Sequence, residues 1–203
     1  MKAWNQALSA LLLFLSRRLS SKLRCQYETL SIMVNSCNHQ AISRNIINAL
    51  IAAEDRRYLT HSGFDLRAVG RALWSIVAKR KLQGASTIEQ QFVRTVTHRH
   101  EVTLARKLRE IALAIALSGN FPKDQIARAY LCVAYFGWQM NGIDEACHRL
   151  SIDSKTATPA EAAEIVARLK YPEPQAANAR RVAQIKSRVN YILQLRSMND
   201  KRN

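Results

Sequence analysis

Apolar positions along this chain recur at helical spacing. Ile46, Ile47, Leu50 and Ile51 form one stripe that runs into Glu54 and Asp55, which predicts an amphipathic helix from Ile42 ending on two carboxylates. His61-Ser-Gly63-Phe-Asp65 reads as a turn in which Gly63 is free to take positive φ. A helix over about 66–80, carrying Val69, Leu73, Trp74 and Val77, is broken by Gln83-Gly84-Ala85-Ser86. Ser86 is placed to cap the next helix with Glu89 at its third position, a capping box. Thr103 caps another, whose Leu104, Leu108, Ile111 and Ile115 share a face, and Gly119-Asn-Phe-Pro122 stops it. A helix from near Lys123 to Tyr135 ends at Gly137. Thr158-Pro159-Ala160-Glu161 combines a cap, an N-terminal proline and an acid three residues after the cap. The last helix, about 178–197, places Val182, Ile185, Val189 and Ile192 on one face. Strand patterns are nearly absent, so the predicted fold class is all-α (mainly α).

The 203 residues suffice for one domain with a substantial core. Residues 1–40 read as an N-terminal anchor or connecting segment and 41–203 as the domain. The apolar stretch between Lys2 and Arg17 is diluted by Asn5, Gln6, Ser9 and Ser16 and falls short of the roughly 20 apolar residues of a spanning helix. Arg17, Arg18, Lys22 and Arg24 follow it, which opposes sending what lies downstream outward. An interfacial anchor, a poor signal anchor and a first packed helix all remain open. The formal charge is +16, from 31 Lys and Arg against 15 Asp and Glu. This excess points to a polyanionic neighbour: nucleic acid, an anionic membrane surface or a phosphate-bearing substrate. Cys25, Cys37, Cys132 and Cys147 show no CxxC spacing and the five histidines are scattered, so no structural metal is expected and the redox compartment stays open.

Three segments carry candidate chemistry. Glu54 and Asp55 stand where an apolar helix gives way to a polar turn followed by Arg56, Arg57 and His61. A carboxylate at such a boundary loses hydration and becomes a candidate general base; a helix-end acid paired with a nearby arginine is the plainer reading. Glu110 stands four residues after Arg106, the spacing of an ordinary intrahelical ion pair, yet Arg106, Lys107 and Arg109 together also form a cationic cluster suited to a phosphate. In Gly84-Ala-Ser86-Thr87-Ile-Glu-Gln90-Gln91 the small residues and a starting helix favour an anion. The two amides point in different directions, so one is placed for sugar hydroxyls and the other as a brace. No Gly-Lys-Ser/Thr follows, which excludes a nucleotide P-loop.

Taken in order, these segments resemble glycosyltransferase family 51, the transglycosylase module of penicillin-binding proteins. Glu54-Asp55-x-x-Tyr58-x-x-His61-x-Gly63-x-Asp65 is similar to its first motif, with Tyr58 where Phe is usual. Gly84-x-Ser86-Thr87-Ile88-x-Gln90-Gln91 is similar to the second and Arg106-Lys107-x-x-Glu110 to the third. Ile126 through Gly142-Ile143 resembles the fourth, and Arg188 to Leu193, more weakly, the fifth; the likeness covers about residues 42–195. It implies a lysozyme-like, two-lobed helical domain with a central cleft, and a peptidoglycan glycosyltransferase that polymerises lipid II into glycan strands with release of undecaprenyl diphosphate. On that resemblance Glu54 is the catalytic base and Glu110 the second catalytic carboxylate. Ser86, Thr87, Gln90 and Gln91 hold the donor, Arg94, Arg106, Lys107 and Arg109 neutralise the diphosphate, and Asp55 and His61 brace the site.

No cofactor is indicated by the residues; the resemblance leaves room for a divalent cation, Mg²⁺ or Mn²⁺, near Glu110. Expected partners are lipid II, the growing glycan strand, a membrane surface and other cell-wall synthesis proteins, and no nucleic acid. The expected location is the outer, periplasmic face of the inner membrane. No transpeptidase sequence follows, so a monofunctional enzyme is expected. Departures from the pattern are Arg94-Thr95 for Lys-Asn and Cys132 for Asn after Tyr130-Leu131. Paired carboxylates also suit glycoside hydrolysis, which keeps a lysozyme-type glycosidase in play. The Cys132 and N-terminal departures keep a catalytically weak lipid II-binding protein, and nucleic-acid binding rests on charge alone, without a supporting motif.

Overall fold

The apolar stripe of residues 44–54 folds as its spacing predicts. In the computed structural model, which describes residues 21–68, 70, 86–98 and 103–200, helix α2 (Arg44–Glu54) buries Ile46, Ile47, Ala49, Leu50 and Ala52. Ser43 caps it, its hydroxyl accepting from the Ile46 amide. The elements in chain order are α1 (Ser21–Cys37), α2, a 3₁₀ turn (Tyr58–Thr60), α3 (Ile88–Thr97), α4 (Leu104–Asn120) and α5 (Lys123–Val133). A hairpin of β1 (Tyr135–Gly137) and β2 (Met140–Asn141) follows, then α6 (Ile143–Leu150), α7 (Pro159–Lys170) and α8 (Ala179–Asp200). The chain is mainly α, as expected. Among the described residues no helix is long and apolar enough to cross a membrane. The stretch between Lys2 and Arg17, and the expected helix beyond Gly70 with Leu73, Trp74 and Val77, lie outside the described residues.

The chain divides into two compact units. Unit 1 holds Met1–Ser36 and Arg57–Ile126; unit 2 holds Cys37–Arg56 and Ala127–Asn203. In unit 1, α3 packs on α4, with Ile88, Phe92 and Val93 buried on one side and Leu113, Ala114 and Leu117 on the other. Each large side chain so buried contributes about 1.5–3 kcal/mol. The turn after the 3₁₀ segment also belongs here. Gly63 takes φ +82, and a Cβ on it would lie 2.3 Å from the carbonyl oxygen of Ala114 in α4. Only glycine meets both demands, the left-handed backbone and the close approach.

In unit 2, α2, α7 and α8 pack against one another. α7 presents Ala162, Ala163 and Ala167 with Ile165 and Val166, all fully buried, and its small residues let neighbouring helices come close. The capping box read at Thr158 and Glu161 is present, with Pro159 inside the first turn. Glu173 pairs with Gly137 in an isolated bridge and accepts from Arg168 Nε at 2.8 Å, so the segment after α7 is tied to the hairpin.

Within the N-terminal anchor or connecting segment, residues 21–37 form helix α1, whose Leu23, Leu30 and Val34 are buried. Three expectations change. The helix from Lys123 ends at Val133, and Tyr135 enters an antiparallel hairpin with a register shift; too few residues alternate there for a strand to show in sequence. Thr87, not Ser86, caps α3, accepting from the Gln90 amide. Finally, α4 turns inward on Glu110, Leu113, Ala114 and Leu117, leaving Leu104 and Leu108 exposed. Spacing alone could not choose between these two faces, because Glu110 is admitted to the interior only with its counter-charges in place.

Candidate active site

Unit 1 gathers most of the expected substrate-binding residues around one buried carboxylate. Glu110 sits on the inward face of α4 with 3% of its side chain exposed, 2.5 Å from Arg106 Nη1 and 2.5 Å from Lys107 Nζ. Arg106 is one turn back and Lys107 three residues back, so the helix itself sets both pairs. Lys107 Nζ also donates to Gln90 Oε1 at 2.7 Å and to Ser86 Oγ at 3.2 Å. Its three ammonium protons therefore serve Ser86, Gln90 and Glu110. Gln90 is fully buried, and its Nε2 donates to the Gly63 carbonyl at 3.3 Å. Thr87 is also buried; its hydroxyl donates to the same carbonyl at 2.9 Å and accepts from the Gln90 amide. Both polar ends of Thr87 and Gln90 are thus used within the protein. Gln91, half-buried on the other side of α3, is the amide of the pair left nearer solvent.

Arg94 and Arg109 border a narrow cavity together with Arg106, Glu110 and Gln26 of α1. Among the described residues neither Arg94 nor Arg109 forms an ion pair. Two uncommitted guanidinium groups beside two committed cations make this face of unit 1 strongly positive, and a planar guanidinium suits bidentate phosphate contact.

The rest of the first motif braces unit 1. Tyr58 is 1% exposed, its hydroxyl donates to the Lys123 carbonyl at 2.8 Å, and the Lys123 ammonium lies 4.6 Å from its ring centre. Tyrosine in place of the usual phenylalanine thus gains a partner for its hydroxyl. His61 is buried and meets the Tyr58 ring edge-on at 6.2 Å. Asp65 is buried, accepts from the Arg67 amide and pairs with Arg57 at 3.3 Å. Glu89, read as a capping residue, is instead fully buried and ion-paired with Lys123.

Unit 2 holds the other carboxylates. Glu54 is the last residue of α2 and keeps 17% of its side chain exposed, while Asp55, the C-cap, is buried. Arg188 of α8 donates through Nη2 to Glu54 Oε1 at 3.0 Å and to the Ala53 carbonyl at 2.9 Å. Its guanidinium stacks over the Tyr191 ring at 5.1 Å, and the Tyr191 hydroxyl accepts from Arg56 at 2.6 Å. The surface beside this pair opens a cavity of about 570 Å³ lined by Lys170, Tyr171, Arg180, Arg188 and Tyr191 among others. Arg188 is the site residue that sequence reasoning leaves unassigned. It lies 134 positions from Glu54, and only the weak fifth-motif likeness pointed to that stretch.

The chemistry thus assembled is a partly exposed carboxylate held by an arginine in unit 2, and a cationic face organised by a buried carboxylate in unit 1. A family model described as Transglycosylase matches residues 26–197, and the chain belongs to that family. It is 37% identical over 133 residues to penicillin-binding protein 1F of Bacillus subtilis (strain 168), covering 64% of this chain and 19% of the relative. It is 33% identical over 165 residues to penicillin-binding protein 1A of Rickettsia bellii (strain RML369-C), covering 79% of this chain and 21% of the relative. The chain spans about a fifth of the length of the curated relatives it matches.

Proposed function

We propose that this chain is a peptidoglycan glycosyltransferase that polymerises lipid II, with Glu54 as general base. The observation that carries the reading is the family membership of residues 26–197 together with the cationic face built on Glu110. The Glu54 carboxylate takes the proton of the acceptor sugar's 4-hydroxyl, and that oxygen attacks C1 of the donor glycan. The bond from C1 to the lipid diphosphate breaks and the configuration at C1 inverts. Arg94 and Arg109, uncommitted among the described residues, meet the departing diphosphate with Arg106 and Lys107 behind them; fixed positive charge where negative charge develops is a large source of rate enhancement.

Glu110 acts by holding Arg106 and Lys107 in place. The reading puts no divalent cation on it, because both of its oxygens already lie 2.5 Å from cationic nitrogens. Thr87 and Gln90 shape the donor side from within, and Ser86 and Gln91 are the residues of that segment offered to sugar hydroxyls. Asp55 and His61 brace the motif. The outer face of the cytoplasmic membrane and cell-wall synthesis partners belong to this reading; work at an anionic membrane surface is supported by the charge of +16. The exposed Leu59, Leu66, Leu104 and Leu108 of unit 1 support it too.

The test is incubation of purified protein with labelled lipid II, with and without Mg²⁺ or Mn²⁺. Polymer that forms in both arms, and falls by roughly 10²–10⁴ in Glu54→Gln, supports the reading. Near-normal polymer from Glu54→Gln overturns the assignment of the base. Shortening of added glycan strands identifies the glycosidase, and binding without polymer the weak lipid II binder.

A further inference from the structure

Two of the four cysteines meet in unit 2. Cys37 closes α1 and Cys132 lies in the last turn of α5, and both are half-buried. Gln40 brings them together: its amide donates to the Cys37 carbonyl at 3.2 Å, and its side-chain oxygen accepts from Cys132 Sγ. Arg128 of α5 fixes the turn by donating to the Gln40 carbonyl at 2.9 Å, and Gln40 Nε2 donates to Asp144. Gln40 thus touches both cysteine residues, and the Cys37 thiol is among the neighbours that raise the Cys132 thiol. Cys132 is also one of the chain's departures from the motif it otherwise follows. A second cysteine therefore stands where an amide is usual, joined through Gln40 to a first.

We propose that Cys37 and Cys132 are an oxidation site that closes to an intramolecular disulfide when an external disulfide such as oxidised glutathione is present. Burial, Cys37 and Asp144 hold the Cys132 thiol well above the ordinary thiol range, with Arg128 opposing them, so Cys37 attacks first. Its thiolate displaces one glutathione thiolate and forms a mixed disulfide. Cys132 then gives its proton to solvent and attacks the Cys37 sulfur, and the second glutathione leaves. Two protein thiols are oxidised to one disulfide and one external disulfide is reduced to two thiols. The bond ties the end of α1 to α5 and closes a loop containing the whole of residues 57–126. Neither cysteine has a role in the proposed transfer reaction, so either reading can fail without the other.

The folded, full-length chain is treated with oxidised glutathione, alkylated, digested and read by mass spectrometry. The expected product is one cross-linked peptide pair joining Cys37 to Cys132, absent from Cys37→Ser and from Cys132→Asn. The oxidised protein should melt about 5–10 °C higher than the reduced one. The proposal is overturned if Cys37 and Cys132 are recovered alkylated, capped by glutathione, or joined to Cys25 or Cys147. An equal yield of the same pair from chain oxidised in guanidinium also overturns it, since the fold would then not be what brings the thiols together.

Discussion

Glu110 in unit 1 and Glu54 in unit 2 both end up against cations, but they are held in opposite ways. Glu110 is 3% exposed, and two side chains of its own helix, Arg106 and Lys107, approach its two oxygens. Glu54 is 17% exposed, stands at the open end of a helix, and is held by an arginine contributed from 134 positions away. A carboxylate locked between two local cations is suited to fixing their positions. One at a helix end beside a cavity is suited to meeting a substrate. On the proposed function the two acids divide the work, Glu110 giving geometry and Glu54 chemistry.

That division can be broken or sharpened by experiment. Glu54→Gln should cost roughly 10²–10⁴ in polymerisation rate, read by a lipid II assay beside guanidinium unfolding. Its loss of stability should be smaller than that of Glu110→Gln, since among the described residues it strips the counter-charge from one cation, Arg188, and not two. Glu110→Gln should show the converse weighting. It strips the counter-charge from Arg106 and Lys107, which are only partly buried, so about 2–3 kcal/mol of stability is lost, with activity falling through the disordered cluster. If Glu110→Gln kept full stability and lost all activity, Glu110 would be a reacting group and the comparison would fail.

Tyr58→Phe, which restores the residue usual in the motif, should cost only about 1 kcal/mol, the net worth of the bond to the Lys123 carbonyl. Calorimetry would show this as a melting shift of a few degrees without a change in rate.

The smallest effects are those of pH, and they belong to unit 2. Glu161 is held below the usual carboxylate range by hydrogen bonds from the Thr158 amide and hydroxyl, and Asp153 by those from Lys155 and Thr156. A depressed carboxylate contributes stability that is present above its unfolded value, about 4. That contribution is lost as pH falls through the lower folded value. At the other end, burial with Asp144 and Asp153 nearby pushes Cys147 up to about 11. Its contribution is full below the unfolded thiol value of about 8.5 and declines as pH rises toward 11. Unfolding midpoints measured across pH should therefore slope gently down at both ends. Cys132, also raised by burial, adds to the alkaline slope, so Cys147→Ala should reduce that slope in part; an unchanged slope would remove Cys147 as a source.

Much was legible from residues alone because it is local. A helix's buried stripe, the cap at Thr158 and the i,i+4 contact of Arg106 with Glu110 depend on neighbours within about one turn, which the sequence displays directly. The positive φ of Gly63 was legible for the same reason. Tertiary structure decided what depends on distant partners. The inward face of α4 follows from whether Glu110 finds counter-charges, and the cap of α3 moved to Thr87 because its hydroxyl also reaches the Gly63 carbonyl. Arg188 meets Glu54, and Cys132 meets Cys37, only after α8 and α5 have packed. Short-range order is written in adjacent residues; which remote side chain satisfies a buried charge, hydroxyl or thiol is set by the packing of the whole.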